Sequence, residues 1–178
     1  MNQATAPQAM DRRRIVTWSD PKPLAEAGQS MAGLGFLRGV LTGELPPPPV
    51  AGLLGFMLAE VDEGRVVMRL MPGEHLYNPL GTVHGGVLAT LLDSVMGCAV
   101  QTTLPRGRGY TTLEIKVNYV RAVTEAVGEL TAEGRVVHAG RRSAVAEAKV
   151  SDARGRLCAT ASTTCLVFDL PVSEAPLR

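Results

Sequence analysis

Between Val87 and Val100 the apolar side chains fall on two adjacent rows at i, i+4 spacing, Val87-Leu91-Val95-Ala99 and Leu88-Leu92-Met96-Val100. That periodicity predicts a helix from about Val83 to Thr103, sunk deep in a core. The run reads as too short and too interrupted to span a membrane. A third face carries Gly86, Thr90, Asp93, Gly97 and Gln101, small or polar residues at helical spacing, so Asp93 looks toward neither core nor plain bulk water. An isolated ionised carboxylate there is strongly unfavourable unless it is hydrogen-bonded or put to chemical use. Asp93 is therefore either a buried acid satisfied by a hydroxyl or a helix partner, or a working group.

The residues just before the helix sharpen the choice. Thr82 reads as the N-cap, which puts His84, Gly85 and Gly86 in the first turn, where backbone N–H groups lack intrahelical partners and the helix dipole is positive. Two residues without a Cβ allow close approach either of a neighbouring strand or of a ligand carbonyl, the latter being the arrangement of an oxyanion hole. Asp93 then lies roughly 10 to 12 Å along the axis from the Gly85 and Gly86 amides, a gap its short side chain cannot close. One chain cannot bring both groups to a single carbonyl carbon. Two such helices, antiparallel across a two-fold axis, can.

Asn78, then His84-Gly85-Gly86, then Asp93, followed by a β-rich second half, resembles the hot-dog-fold acyl-CoA thioesterases, in particular the PaaI-like group related to phenylacetyl-CoA and 4-hydroxybenzoyl-CoA thioesterases. The resemblance covers about residues 50 to 168. It implies that Asp93 acts as nucleophile or as general base for water, that the Gly85 amide polarises the thioester carbonyl with Gly86 beside it, and that Asn78 orients water or substrate. It implies a helping hydroxyl near the start of the next strand, for which Thr112 is the best match with Thr111 beside it. His84 matches the family's histidine, whose commoner role is hydrogen bonding around the turn rather than that of base. The implied substrate is an acyl-CoA, and the implied assembly is a homodimer or a dimer of dimers. No metal or redox cofactor is implied, coenzyme A entering only as part of the substrate.

The turn His138-Ala139-Gly140-Arg141-Arg142-Ser143 is a second candidate site. Guanidinium groups and backbone amides at a tight turn suit the phosphates of coenzyme A, and related thioesterases hold CoA near the corresponding turn. Arg141, Arg142 and Ser143 are the candidate ligands; Arg106 and Arg108, in a Gly-rich loop after the helix, are the alternative.

Composition fits a single cytosolic enzyme domain. A formal charge of +1 from 18 basic and 17 acidic residues provides no field that selects nucleic acid or an anionic membrane. Three cysteines, Cys98, Cys158 and Cys165, show no CxxC spacing and read as buried thiols, and the scattered His75, His84 and His138 show no metal-ligand spacing. Arg12-Arg13-Arg14 is followed by no apolar segment of the kind a secretory signal carries.

The chain divides into residues 1–49, a polar mobile start, an expected amphipathic helix between Leu24 and Leu41 and a stiff proline linker at Pro46 to Pro49; 50–170, the hot-dog domain; and a tail at 171–178. Leu53 to Val61 and Arg65 to Met71 read as a hairpin about Asp62-Glu63-Gly64. Tyr110 to Arg121, Gly128 to His138, Arg142 to Ser151 and Leu157 to Phe168 read as further strands, sequential and antiparallel. The fold class is α+β, with an antiparallel sheet wrapped around one long central helix. The same fold also serves acyl-thioester dehydratases and hydratases, which normally pair a histidine with the acid, and non-catalytic acyl-binding regulatory modules. No second histidine here is well placed for the first, and the near-balanced charge of residues 1 to 45 argues against a DNA-binding arm in the second.

Overall fold

Both apolar rows of the central segment, the half-buried Val87 apart, are buried because a single sheet wraps around them. In the computed structural model, which describes residues 12–170, this segment is helix α4, Gly85–Thr102. Leu91, Leu92, Val95, Met96, Ala99 and Val100 are each 0% exposed. By length and composition α4 could cross a membrane, but half of it is buried against its own chain. Its two termini fall within two residues of the boundaries read from periodicity.

Six antiparallel strands make the sheet: β1 Phe56–Asp62, β2 Arg65–Leu70, β3 Arg108–Tyr119, β4 Leu130–Ala139, β5 Ser143–Ser151 and β6 Leu157–Asp169. The alternation in the sequence located all six. Their order is β1-β2-β4-β5-β6-β3, so the chain is not a simple sequential meander: β3, directly after α4, crosses to the far edge and pairs with β6. The β1–β2 hairpin turns at Gly64, whose φ of +71° suits a residue without a Cβ. Gly134 permits the close packing of β4 on the helix, since a Cβ there would stand 2.6 Å from the Val95 carbonyl oxygen.

The N-terminal third is more structured than its sequence implies. The single helix expected between Leu24 and Leu41 is two, α1 Pro21–Ser30 and α2 Gly33–Thr42. They separate where Gly33 docks on the end of α4: its N–H donates to the Leu104 carbonyl at 3.0 Å, and a Cβ at Gly33 would overlap the Gln101 carbonyl. Pro49 does not extend the proline linker but opens a short helix, α3 Pro49–Leu54, as a ring with fixed φ can at a first helical position. For the same reason Leu53 and Leu54 are helical rather than the start of β1.

Leu37 of α2 and Ala51 of α3 join the same buried cluster as α4, so packing runs across the boundary drawn at residue 49. Residues 12–20, expected to be mobile, are docked: Arg14 donates to the Leu53 and Gly52 carbonyls at 2.8 and 3.1 Å, and Arg12 pairs with Glu74 at 2.7 Å. The expected mobile start at residues 1–11 and the tail at 171–178 lie outside the described residues.

On the outer face of the sheet Glu133 is held by Arg65 at 2.8 Å, Arg135 at 2.7 Å and Lys149 at 3.2 Å. The hydrogen bond from Arg65 does most to pull the Glu133 carboxyl down to about 2.

Candidate active site

The approach to α4 is a tight reversal, and its hydrogen bonds correct the expected cap. Asn78 Oδ1 accepts from Leu80 N–H at 2.9 Å and from Thr82 N–H and Oγ1–H, both at 3.3 Å. Thr82 is thus spent on this turn and caps nothing. His84 is the N-cap instead, its Nδ1 accepting from Gly86 N–H at 2.9 Å. The ring proton therefore sits on Nε2. A Cβ on Gly86 would come within 3.0 Å of that same Nδ1, so the glycine gives the cap its room.

This cap narrows the donor set. Gly86 N–H is taken by His84, and Val87 N–H donates to the His84 carbonyl at 2.9 Å. Gly85 N–H is left without a partner among the described residues. It lies at the wall of a cleft of about 360 Å³, lined in part by Asn78, Thr82, Leu88 and Tyr119. An unpaired amide at the positive end of an eighteen-residue helix is a ready donor to a carbonyl oxygen.

Farther along α4, Asp93 is half-buried, and Thr112 Oγ1–H donates to its Oδ1 at 2.9 Å. Its Oδ2 has no partner among the described residues, and no buried side-chain oxygen there goes unsatisfied, so Oδ2 reaches open space. One oxygen fixed and one open is the condition of a carboxylate that can meet water or an acyl carbon. Thr111 is exposed and makes no such contact. Burial raises the neighbouring Cys98 thiol to about 12, with the Asp93 charge adding to it, and burial likewise raises the Tyr110 hydroxyl.

Tyr119 is a residue that sequence reasoning missed. Its hydroxyl donates to the Gly85 carbonyl at 2.8 Å, and its ring would meet a Cβ on Gly85 at 3.2 Å. Strand β3 thus runs antiparallel to α4 with Tyr110 against Gly97, Thr112 on Asp93 and Tyr119 on Gly85. Thr112 and Tyr119 are an odd number of residues apart, which on a regular strand puts them on opposite faces. A register shift between Thr112 and Glu114, with Leu113 turned outward, restores both to the helix side. Alternation alone could not reveal this.

The second candidate site lies at the same end of the sheet as Thr112. Thr112 pairs with Cys165, which pairs with Ala144, so the turn before Ser143 begins about two strand spacings away, on the order of 10 Å. Arg141, Arg142 and Ser143 are exposed there. Arg108 joins them: it donates to the Arg141 carbonyl and pairs with Asp169 at 2.6 Å, so the two alternatives form one basic surface. Arg106 is exposed in the loop before it. No group of three or more His, Cys, Asp or Glu with metal-ligand placement occurs among the described residues.

The sequence model of the Thioesterase superfamily matches residues 80–159, which takes in Gly85, Asp93 and Thr112. A phenylacetic acid degradation-related protein of Ralstonia eutropha is 32% identical in a structural match covering 73% of this chain and 98% of that one, with a TM-score of 0.67. A Streptococcus mutans protein bound to acetyl CoA is 28% identical, with 65% of this chain and 90% of that one covered and a TM-score of 0.59. The proofreading thioesterase EntH of Klebsiella pneumoniae is 27% identical over 60% of this chain and 77% of its own length.

Proposed function

Because the chain belongs to the thioesterase superfamily and is a thioester hydrolase, we propose that it cleaves an acyl-CoA at a site completed by two copies of the chain. The thioester carbonyl oxygen accepts from Gly85 N–H of one copy, and Asp93 of the other faces the carbonyl carbon. With Asp93 as base, its open oxygen takes a proton from water as the water oxygen adds to that carbon. The C–S bond then breaks, the acyl group leaves as a carboxylic acid, and the CoA sulfur takes up the proton. With Asp93 as nucleophile, its oxygen adds to the carbonyl carbon and the C–S bond breaks, CoA leaving as thiolate; water then splits the resulting anhydride into the free acid and the restored Asp93 carboxylate, and the proton released goes to the CoA sulfur. Thr112 holds Oδ1 in either course.

The observation that carries this reading is the half-engaged carboxylate of Asp93 on one continuous helix with Gly85. Eight residues of helix separate the two by about 12 Å, too far for one carbonyl group. The dimer is further supported by the twelve-residue β3, an outer strand at the sheet edge with Leu113 and Tyr119 more than half exposed. An uncovered edge of that length invites pairing. Antiparallel pairing of β3 with its own copy would lay two α4 helices antiparallel, bringing Gly85 of one toward Asp93 of the other.

The CoA phosphates are assigned to the basic surface around Arg141, Arg142 and Arg108. The acetyl CoA complex of the Streptococcus mutans relative supports a CoA ligand. Hydration of an enoyl thioester is disfavoured because Asp93 is partnered by Thr112 rather than a histidine. The test is thiol release from acyl-CoA alongside water addition to an enoyl-CoA, with wild type and Asp93→Asn. Thiol release by wild type alone is expected; hydration without thiol release would overturn the reading.

A further inference from the structure

Three polar side chains are buried among the described residues, and two of them have local work. Thr102 donates to the Ala99 carbonyl at the end of α4, and Asp152 braces the turn between β5 and β6 by accepting from Arg154 and Arg156 N–H. The third, Thr163 of β6, is 1% exposed, and its Oγ1–H crosses to β3 to donate to the Glu114 carbonyl at 2.6 Å. Glu114 is the residue at which β3 resumes its pairing after the bulge. As the outer strand, β3 pairs with β6 alone, so within one chain only β6 can hold that bulge from the side.

The bulge reconciles two stretches of β3 that are anchored to α4 separately. Before it, Tyr110 is seated against Gly97, where a Cβ would overlap the tyrosine hydroxyl, and Thr112 donates to Asp93. After it, Ile115 and Val117 pack on the core and Tyr119 donates to the Gly85 carbonyl. The two stretches have opposite parity, and the extra residue, Leu113, absorbs the difference by pointing outward at 60% exposed. Hydrophobic burial works against this arrangement. A slip of one residue that closed the bulge would turn Leu113 toward the helix and Thr112 away from Asp93. The Thr163 hydroxyl opposes that slip, because moving the Glu114 carbonyl would leave a buried donor without its partner.

We propose that Thr163 is a positioning residue of the hydrolytic site: by holding the Glu114 carbonyl, its hydroxyl fixes the bulge that turns Thr112 onto Asp93. The assignment rests on the thioesterase reading for its effect on turnover and extends the site to a residue that touches neither substrate nor Asp93.

The experiment measures kcat and KM for thiol release from acetyl-, hexanoyl- and benzoyl-CoA, with thermal melts, for wild type, Thr163→Val, Thr163→Ser, Thr112→Ala and the Thr163→Val/Thr112→Ala double variant. Thr163→Val should lower kcat about tenfold with KM little changed, and Thr163→Ser should restore most of it. In the Thr112→Ala background Thr163→Val should lower kcat no further, because it acts through the hydroxyl already removed, while its cost in melting temperature stays the same. Thr163→Ala, which places no methyl against the Glu114 carbonyl, is measured alone and with Thr112→Ala and serves if the valine variant does not fold. Wild-type kcat in both hydroxyl-free variants, or an equal fold loss with and without the Thr112 hydroxyl, would overturn the assignment and leave Thr163 as core packing. Absence of thiol release from all three substrates by folded wild type would instead remove the thioesterase reading. A crystal structure of the variant then decides the geometry: Thr112 Oγ1 beyond hydrogen-bonding distance of Asp93 is expected, and an unmoved bulge with that bond intact would refute the role of Thr163.

Discussion

Thr112 donates its hydroxyl to Oδ1 of Asp93 at 2.9 Å and leaves Oδ2 without a partner among the described residues. The carboxylate is oriented by one oxygen and available through the other. Of the two conditions the sequence leaves open for Asp93, satisfaction by a hydroxyl and an unengaged oxygen, the structure holds both at once.

Asp93→Asn should lower kcat by about 10²- to 10⁴-fold with fold and assembly retained, since the amide is nearly isosteric but is neither base nor nucleophile. Steady-state kinetics beside a thermal melt checks it. Wild-type turnover in the variant would remove Asp93 from the mechanism.

Thr112→Ala should lower kcat about 10- to 100-fold, the loss expected when a hydrogen bond to a charged group is removed. Thr112→Ser should recover most of it, because the hydroxyl is what Asp93 uses. Equal defects in both variants would mean that the threonine methyl, and hence packing, matters instead.

Gly85→Ala should impair turnover more than stability. The new methyl would meet the Tyr119 ring at 3.2 Å, forcing a shift of a few tenths of an ångström beside the donor amide. Errors approaching 1 Å lower rates about 100-fold. Loss of the melting transition with normal activity per folded molecule would point to packing alone.

Glu133→Gln should destabilise the fold at neutral pH by about 1–2 kcal/mol, less than a fully buried charge pair because Arg135 and Lys149 are more than half exposed. The folded-state value of about 2 lies below the unfolded value, so the wild-type advantage is present above about pH 4.3 and fades as pH falls toward 2. Urea denaturation of both proteins across that window should give converging stabilities. A gap independent of pH would show that the ionised form contributes nothing.

The helix, the six strands and the pairing of Asp93 with Thr112 are legible in the chain because they follow from periodicity and from the family resemblance. What escaped depends on which partner each residue takes, in a turn, at a bulge or between distant segments. His84 displaces Thr82 as cap because Asn78, four residues earlier, engages Thr82. Tyr119 is hidden by a one-residue bulge that reverses strand parity. The edge position of β3 arises from pairing with β6, some fifty residues later, and the break between α1 and α2 from docking on the end of α4. None of these follows from hydrophobic periodicity.

The composite site is tested most directly by mixing two inactive subunits, Asp93→Asn and Gly85→Val. In a verified heterodimer one site combines Asp93 of the second variant with Gly85 of the first, while the other site carries both lesions. Activity per heterodimer should return to about half that of a wild-type dimer, since one of its two symmetry-related sites is intact. Heterodimers that remain inactive would contradict the two-chain site and require the donor and the attacking group to reside in one chain.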